Sequence, residues 1–168
     1  MEKRKTSTRD LTVGAMLTAL GLILSYVEAL IPFSVGLPGI KLGFANIVIV
    51  YTLYRLGGRT AFLVNVCRVL LSALLFGSAF SALYALAGAL VSFSGMVLLK
   101  RLGIFSTAGV SMAGGVLHNL GQLAVAAAVV DTVQVLGYFP VLLFSGIAAG
   151  LVNGIIATLC LHRLEKIS

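Results

Sequence analysis

A set of polar residues stands inside or at the edge of the apolar runs of this sequence: Glu28, Lys41, Asn46, Arg68, His118, Asn119 and Gln122. Arg68 is the extreme case, because it falls midway along an apolar run extending from Thr60 to Phe76. A charge at the centre of a hydrocarbon layer costs about 2.5–3.5 kcal/mol unless it is paired or hydrated. Arg68 therefore requires partners or water. One reading is structural: Arg68 and Glu28 form an ion pair while His118 and Gln122 bond neighbouring helices. The functional reading places all of these groups around a polar pocket that binds a ligand. Lys41, Arg68 and His118 set against Glu28 favour an anionic or phosphate-bearing ligand. Asn153 reads as a helix-packing residue. Trp is absent, and Phe33, Phe44, Tyr84 and Tyr138 are the candidates for stacking a planar ligand.

The same inventory argues against catalysis. Neither GxSxG nor HExxH occurs, and no GxxxxGK[ST] phosphate loop is present, so any ATP must be handled by another protein. Asp10 and Asp131 are the only aspartates, too few for the clusters that hold magnesium and diphosphate in helical prenyl synthases. No catalytic residue, metal ligand set or cofactor is expected, and the chain reads as a non-enzyme. Cys67 and Cys160 lie far apart in apolar runs and read as core packing.

The elements that must position these groups follow from composition. The 168 residues are 60% hydrophobic and 10% charged, with a mean hydropathy of +1.11, whereas a soluble domain is about 25% charged. A soluble enzyme is excluded. The apolar runs are unbroken rather than alternating, which excludes a barrel of period-two strands. Charges and Gly/Pro punctuation divide the chain into six expected spans: Leu11 to Ile31, Ile40 to Tyr54, Thr60 to Phe76, Ser78 to Leu99, Ser106 to Val130 and Phe139 to Leu161. The second is short for a bilayer crossing and has a re-entrant hairpin as its alternative. The first is too long for a signal-peptide core, and no cleavage site follows it.

Of the 12 Lys and Arg residues, Lys3, Arg4, Lys5, Arg9, Arg55, Arg59, Lys100, Arg101, Arg163 and Lys166 fall on one side of six alternating spans. The positive-inside rule then places both termini in the cytoplasm. The net charge of +7 reports topology, not nucleic-acid binding, since these bases sit in short turns between apolar runs. The expectation is one all-α domain over residues 1–168, a six-helix bundle in the cell membrane in contact with lipid.

Lipid cannot satisfy a polar side chain, so polar and small residues at helical spacing should face the bundle interior. The stripes are Gly14, Thr18, Gly21, Ser25 and Glu28; Ala61, Asn65, Arg68 and Ser72; and Ser111, Gly115, His118 and Gln122. Gly146, Gly150 and Gly154 form a small-residue ladder in the last span, and Ala15 and Ala19 are a second small pair beside the first stripe.

Three segments carry a family resemblance: Pro38-Gly-Ile-Lys-Leu-Gly-Phe-Ala-Asn46, Cys67-Arg-Val-Leu-Leu71 with Leu75-Phe-Gly77, and His118-Asn-Leu-Gly-Gln122. Together they resemble the Gx transporter family, also labelled heptaprenyl diphosphate synthase component I, over nearly the whole chain. That family looks like a relative of the substrate-binding S components of energy-coupling factor vitamin transporters. The resemblance implies capture of a small molecule from the outer side and its release through a transmembrane T component with paired ATPase subunits. Ala15-Met-Leu-Thr-Ala19 matches the AxxxA-like motif that meets the T component in such proteins. The synthase label implies an alternative, a noncatalytic membrane partner of a prenyl-chain enzyme.

Overall fold

Glycine and charge punctuation ends each helix close to the expected places. A computed structural model describes residues 8–30, 43–130 and 133–165. These residues form α1 (Thr8–Leu30), α2 (Phe44–Arg55), α3 (Gly58–Phe76), α4 (Ala79–Leu102), α5 (Thr107–Val130) and α6 (Phe139–Glu165). A 3-10 turn, Val133–Tyr138, precedes α6 where the sequence suggested only loop. No strand occurs among the described residues.

Every helix except α2 is long and apolar enough to cross a membrane. Their outer surfaces are apolar as well: Leu11, Met16 and Ile23 of α1 and Phe144 and Leu159 of α6 are all exposed. Such faces suit lipid, which makes the chain a multi-pass helical membrane protein. Cys67 does not pack in the core as the sequence suggested. It is exposed on α3, so it belongs to the lipid-facing surface and not to the core.

The second span also differs from expectation. α2 has 12 residues, which rise about 18 Å against a hydrocarbon core of about 30 Å. Its limits are set by backbone that cannot continue a right-handed helix. Gly43 takes φ 67° and ψ 32° just before it, and Gly57 takes φ 91° just after. Both are conformations that favour glycine.

Helix neighbours follow the order α1, α3, α4, α5, α6, α2 and back to α1, so the helices ring a central volume. One end of that volume is solid. Ile49, Val50 and Leu53 of α2 pack there with Ala61, Met96, Val110 and Ala157, each almost fully buried. Within a bilayer such a core is held by close van der Waals packing and interhelical hydrogen bonds, because the apolar faces leave lipid and not water as the helices associate.

Close approach of α5 and α6 depends on the expected ladder. Gly146 faces Gly115, Gly150 faces Met112 and Gly154 faces Ala108. A Cβ on Gly150 would stand 2.6 Å from both Met112 Cα and Ser111 O, and neither backbone atom can swing aside. Gly150→Ala is therefore expected to destabilise the purified protein by about 1–3 kcal/mol through overpacking. Gly58→Ala, at a helix start with nothing near its Cβ position, is the matched control and should leave the thermal midpoint unchanged or slightly raised. Equal midpoints for the two variants would contradict the close contact.

Candidate functional site

The other end of the ring encloses a cavity of about 450 Å³. Its wall comes from the same end of every helix: the last turns of α1 and α3, the first turns of α2, the early halves of α4 and α6, and the later half of α5. Glu28, Asn46, Arg68, His118, Asn119 and Gln122 all line it. Lys41 lies outside the described residues.

Arg68 reaches this wall because its stem passes over a glycine. A Cβ on Gly21 would come within 3.0 Å of Arg68 Cδ. The guanidinium then donates from Nη2 to Asn65 Oδ1 at 3.0 Å and from Nη1 to Ser25 Oγ at 3.4 Å. Asn65, itself buried, donates from Nδ2 to the Ala89 carbonyl at 3.2 Å. The chain of contacts ties α1, α3 and α4 together through a residue that would otherwise be an isolated charge. Arg68 Nε and Ser72 Oγ, one helical turn apart on α3, are buried without a hydrogen-bond partner among the described residues.

Glu28 is not an ion-pair partner of Arg68. Its Oε1 accepts instead from the backbone N–H of Gly43, at the start of α2. Helix starts leave N–H groups without intrahelical acceptors, and a carboxylate there also meets the positive end of the helix dipole. The two charges act on each other only through space. The Gly43 carbonyl in turn accepts from Asn153 Nδ2 at 3.0 Å and from the Asn46 N–H at 2.7 Å. Gly43 is thus a hub joining α1, α2 and α6. Asn153 does the packing work expected of it and also borders the cavity.

On the opposite wall, Asn119 Nδ2 donates to the Leu142 carbonyl at 2.7 Å and lies 3.4 Å from Ser145 Oγ, fixing α5 to α6. His118 and Gln122 pack over Gly88 of α4, where a Cβ would come within 2.8 Å of the His118 carbonyl oxygen and 2.9 Å of Gln122 Cγ. Ser92 Oγ donates to the Gly114 carbonyl at 2.8 Å, a second tie between α4 and α5.

Ser25, Asn65 and Ser72 were visible in the interior stripes, yet only the fold places them beside Arg68 on one cavity wall. Phe76 lines the cavity and had no sequence signal apart from its motif. Phe44, Tyr84 and Tyr138, named as stacking candidates, do not line it, and Phe33 lies outside the described residues. No cluster of three or more His, Cys, Asp or Glu side chains able to hold a metal occurs among the described residues.

A family model described as heptaprenyl diphosphate synthase component I matches residues 17–160, nearly the whole chain. No curated protein and no solved structure matches it.

Proposed function

We propose, from the premise that this chain belongs to the heptaprenyl diphosphate synthase component I family, that it is a noncatalytic, membrane-embedded capture subunit of an uptake transporter. In this reading it resembles an energy-coupling factor S component. A small molecule enters the cavity, is held by polar groups from every helix, and is released when a transmembrane T component with ATPase subunits engages the bundle. The observation that carries the reading is the asymmetry of the ring: a cavity bordered by polar groups from every helix at one end and a solid apolar core at the other. A ligand can enter but cannot pass through, so a capture subunit of this shape needs a partner to move it. At about 450 Å³ the cavity is within the range of small-molecule sites, about 300–1,000 Å³.

Arg55, Arg59, Lys100, Arg101 and Arg163 lie at the helix ends away from the cavity. By the positive-inside rule the cavity opens outward. In a background with Cys67 and Cys160 replaced by Ala, a cysteine introduced beside Asp131 should react with an impermeant maleimide on intact cells, and one beside Lys100 should not. The reverse pattern would overturn the orientation.

The family description favours a second reading, a membrane accessory subunit of a heptaprenyl diphosphate synthase. Mild-detergent purification from native membranes separates the two. Recovery of a transmembrane partner with ATPase subunits supports capture for transport, whereas recovery of a soluble prenyl synthase without them supports the accessory role and overturns the first.

A further inference from the structure

Glu28 and Arg68 are the only carboxylate and the only guanidinium on the described cavity wall, and they share no salt bridge, interacting only through space. In a low-dielectric bundle, opposite charges facing a common space attract strongly. Yet each is anchored on neutral groups: Glu28 on the Gly43 N–H, Arg68 on Asn65 Oδ1 and Ser25 Oγ. Arg68 borders the cavity, its Nε is a buried donor without a partner among the described residues, and a guanidinium can grip an oxyanion through two bonds. The remaining polar wall carries hydroxyls and amides such as Ser72, Asn46 and Gln122, together with the imidazole of His118. Phe76 is the only Phe, Tyr or Trp among the described lining residues, so no pair of such rings is present to sandwich a planar ligand.

We propose that the cavity recognises a small, non-aromatic zwitterion, its oxyanion held by Arg68 and its ammonium by Glu28. The inference rests on the ligand-capture reading and names its substrate class. A molecule carrying both charges satisfies two separated intramembrane ions at once, which neither a simple anion nor a simple amine can do. Linking the two groups also makes the second contact intramolecular.

The test uses the full-length protein in detergent and a molecular ruler of zwitterions: glycine, β-alanine, γ-aminobutyrate and ε-aminocaproate. Glycerophosphoethanolamine is added as the arm for a lipid-headgroup source. Each is titrated against the thermal midpoint, beside an equimolar mixture of acetate and methylammonium at matched ionic strength. At least one zwitterion should stabilise saturably at a concentration about tenfold or more below that of the mixture. Its spacing gives the charge separation, and the winning arm names the source. Arg68→Gln and Glu28→Gln should each weaken that response by about tenfold, with Arg68→Lys retaining part of it. No advantage of any zwitterion over the mixture, or full response in folded Arg68→Gln and Glu28→Gln, would overturn the proposal. If either variant fails to fold, the wild-type comparison alone decides. An uncharged or aromatic molecule found in the cavity would defeat the zwitterion assignment and leave ligand capture standing. Zwitterion binding by a protein whose native membranes yield no ATPase-bearing partner would defeat the transport reading and leave the zwitterion assignment standing.

Discussion

Arg68→Ala is expected to lower ligand affinity about tenfold or more, and the double variant with Glu28→Ala should restore little of the stability lost in either single variant. Two physical accounts of Arg68 diverge on this point. Were the guanidinium and carboxylate an ion pair, each single removal would leave an orphan charge, and removing both would recover much of the loss. The bonding pattern gives a different result. Glu28→Ala strips the acceptor from the Gly43 N–H, a cost of about 1–3 kcal/mol for an unsatisfied backbone donor. Arg68→Ala releases Asn65 Oδ1 and Ser25 Oγ and leaves space beside Gly21. These bonds are lost in different places, so beyond the through-space attraction of the two charges the double variant should recover only a minor part of either loss. Thermal or denaturant unfolding of the four proteins measures the coupling. Recovery of a large part of the loss in the double variant would reinstate the ion pair and remove the separation of charges on which ligand recognition rests.

On the transport reading proposed above, Ala15→Leu and Ala19→Leu are expected to weaken recovery of an ATPase-bearing partner while leaving the cavity and its ligand affinity nearly intact. α1 has two small-residue faces with different fates. Gly14 and Gly21 are buried, approached by Thr60, Val64 and Arg68 of α3. Ala15 and Ala19 are exposed, among exposed Leu11, Met16, Leu20 and Ile23. A small pair on an apolar face lets a partner helix approach closely, and a leucine at either position holds that helix away. The cavity residues of α1, from Ser25 to Ala29, lie further along the helix, so the substitution does not reach them. Leu20→Ala, on the same exposed surface, is the control for general change of the apolar face. Unchanged recovery and unchanged uptake in both alanine variants would remove this face from the transport reading.

Much of the site was legible because polar groups in apolar runs have few places to go. Glu28, Asn46, Arg68, His118, Asn119 and Gln122 were identifiable from type and spacing, and all line one cavity. The Gly146, Gly150 and Gly154 ladder was legible for the same reason: spacing by four residues defines a single helix face. Other features have no such signature. The partners of Asn65, Asn119, Asn153 and Lys100 are the carbonyls of Ala89, Leu142, Gly43 and Leu53, and a backbone carbonyl looks alike at every position of a sequence. Helix order was equally hidden, since periodicity gives the face of one helix but not the identity of its neighbour. α2 escaped because its length is set by the left-handed backbone of Gly43, which apolar content cannot report. Cys67 escaped because an apolar residue in a membrane bundle is as much at home against lipid as in the core.

The most direct test of the central claim, that the cavity is a ligand site, is native mass spectrometry of the full-length protein beside an Ala149→Phe variant. Ala149 lines the cavity on α6, and a phenyl group there takes up space between the walls without removing a hydrogen-bonding residue. The wild-type protein should carry a discrete small-molecule adduct that survives delipidation, and the variant, with unchanged helix content and thermal midpoint, should lose it. Retention of the same adduct at the same stoichiometry in the filled cavity, or the absence of any adduct from wild-type protein purified directly from its native membrane, would contradict the account.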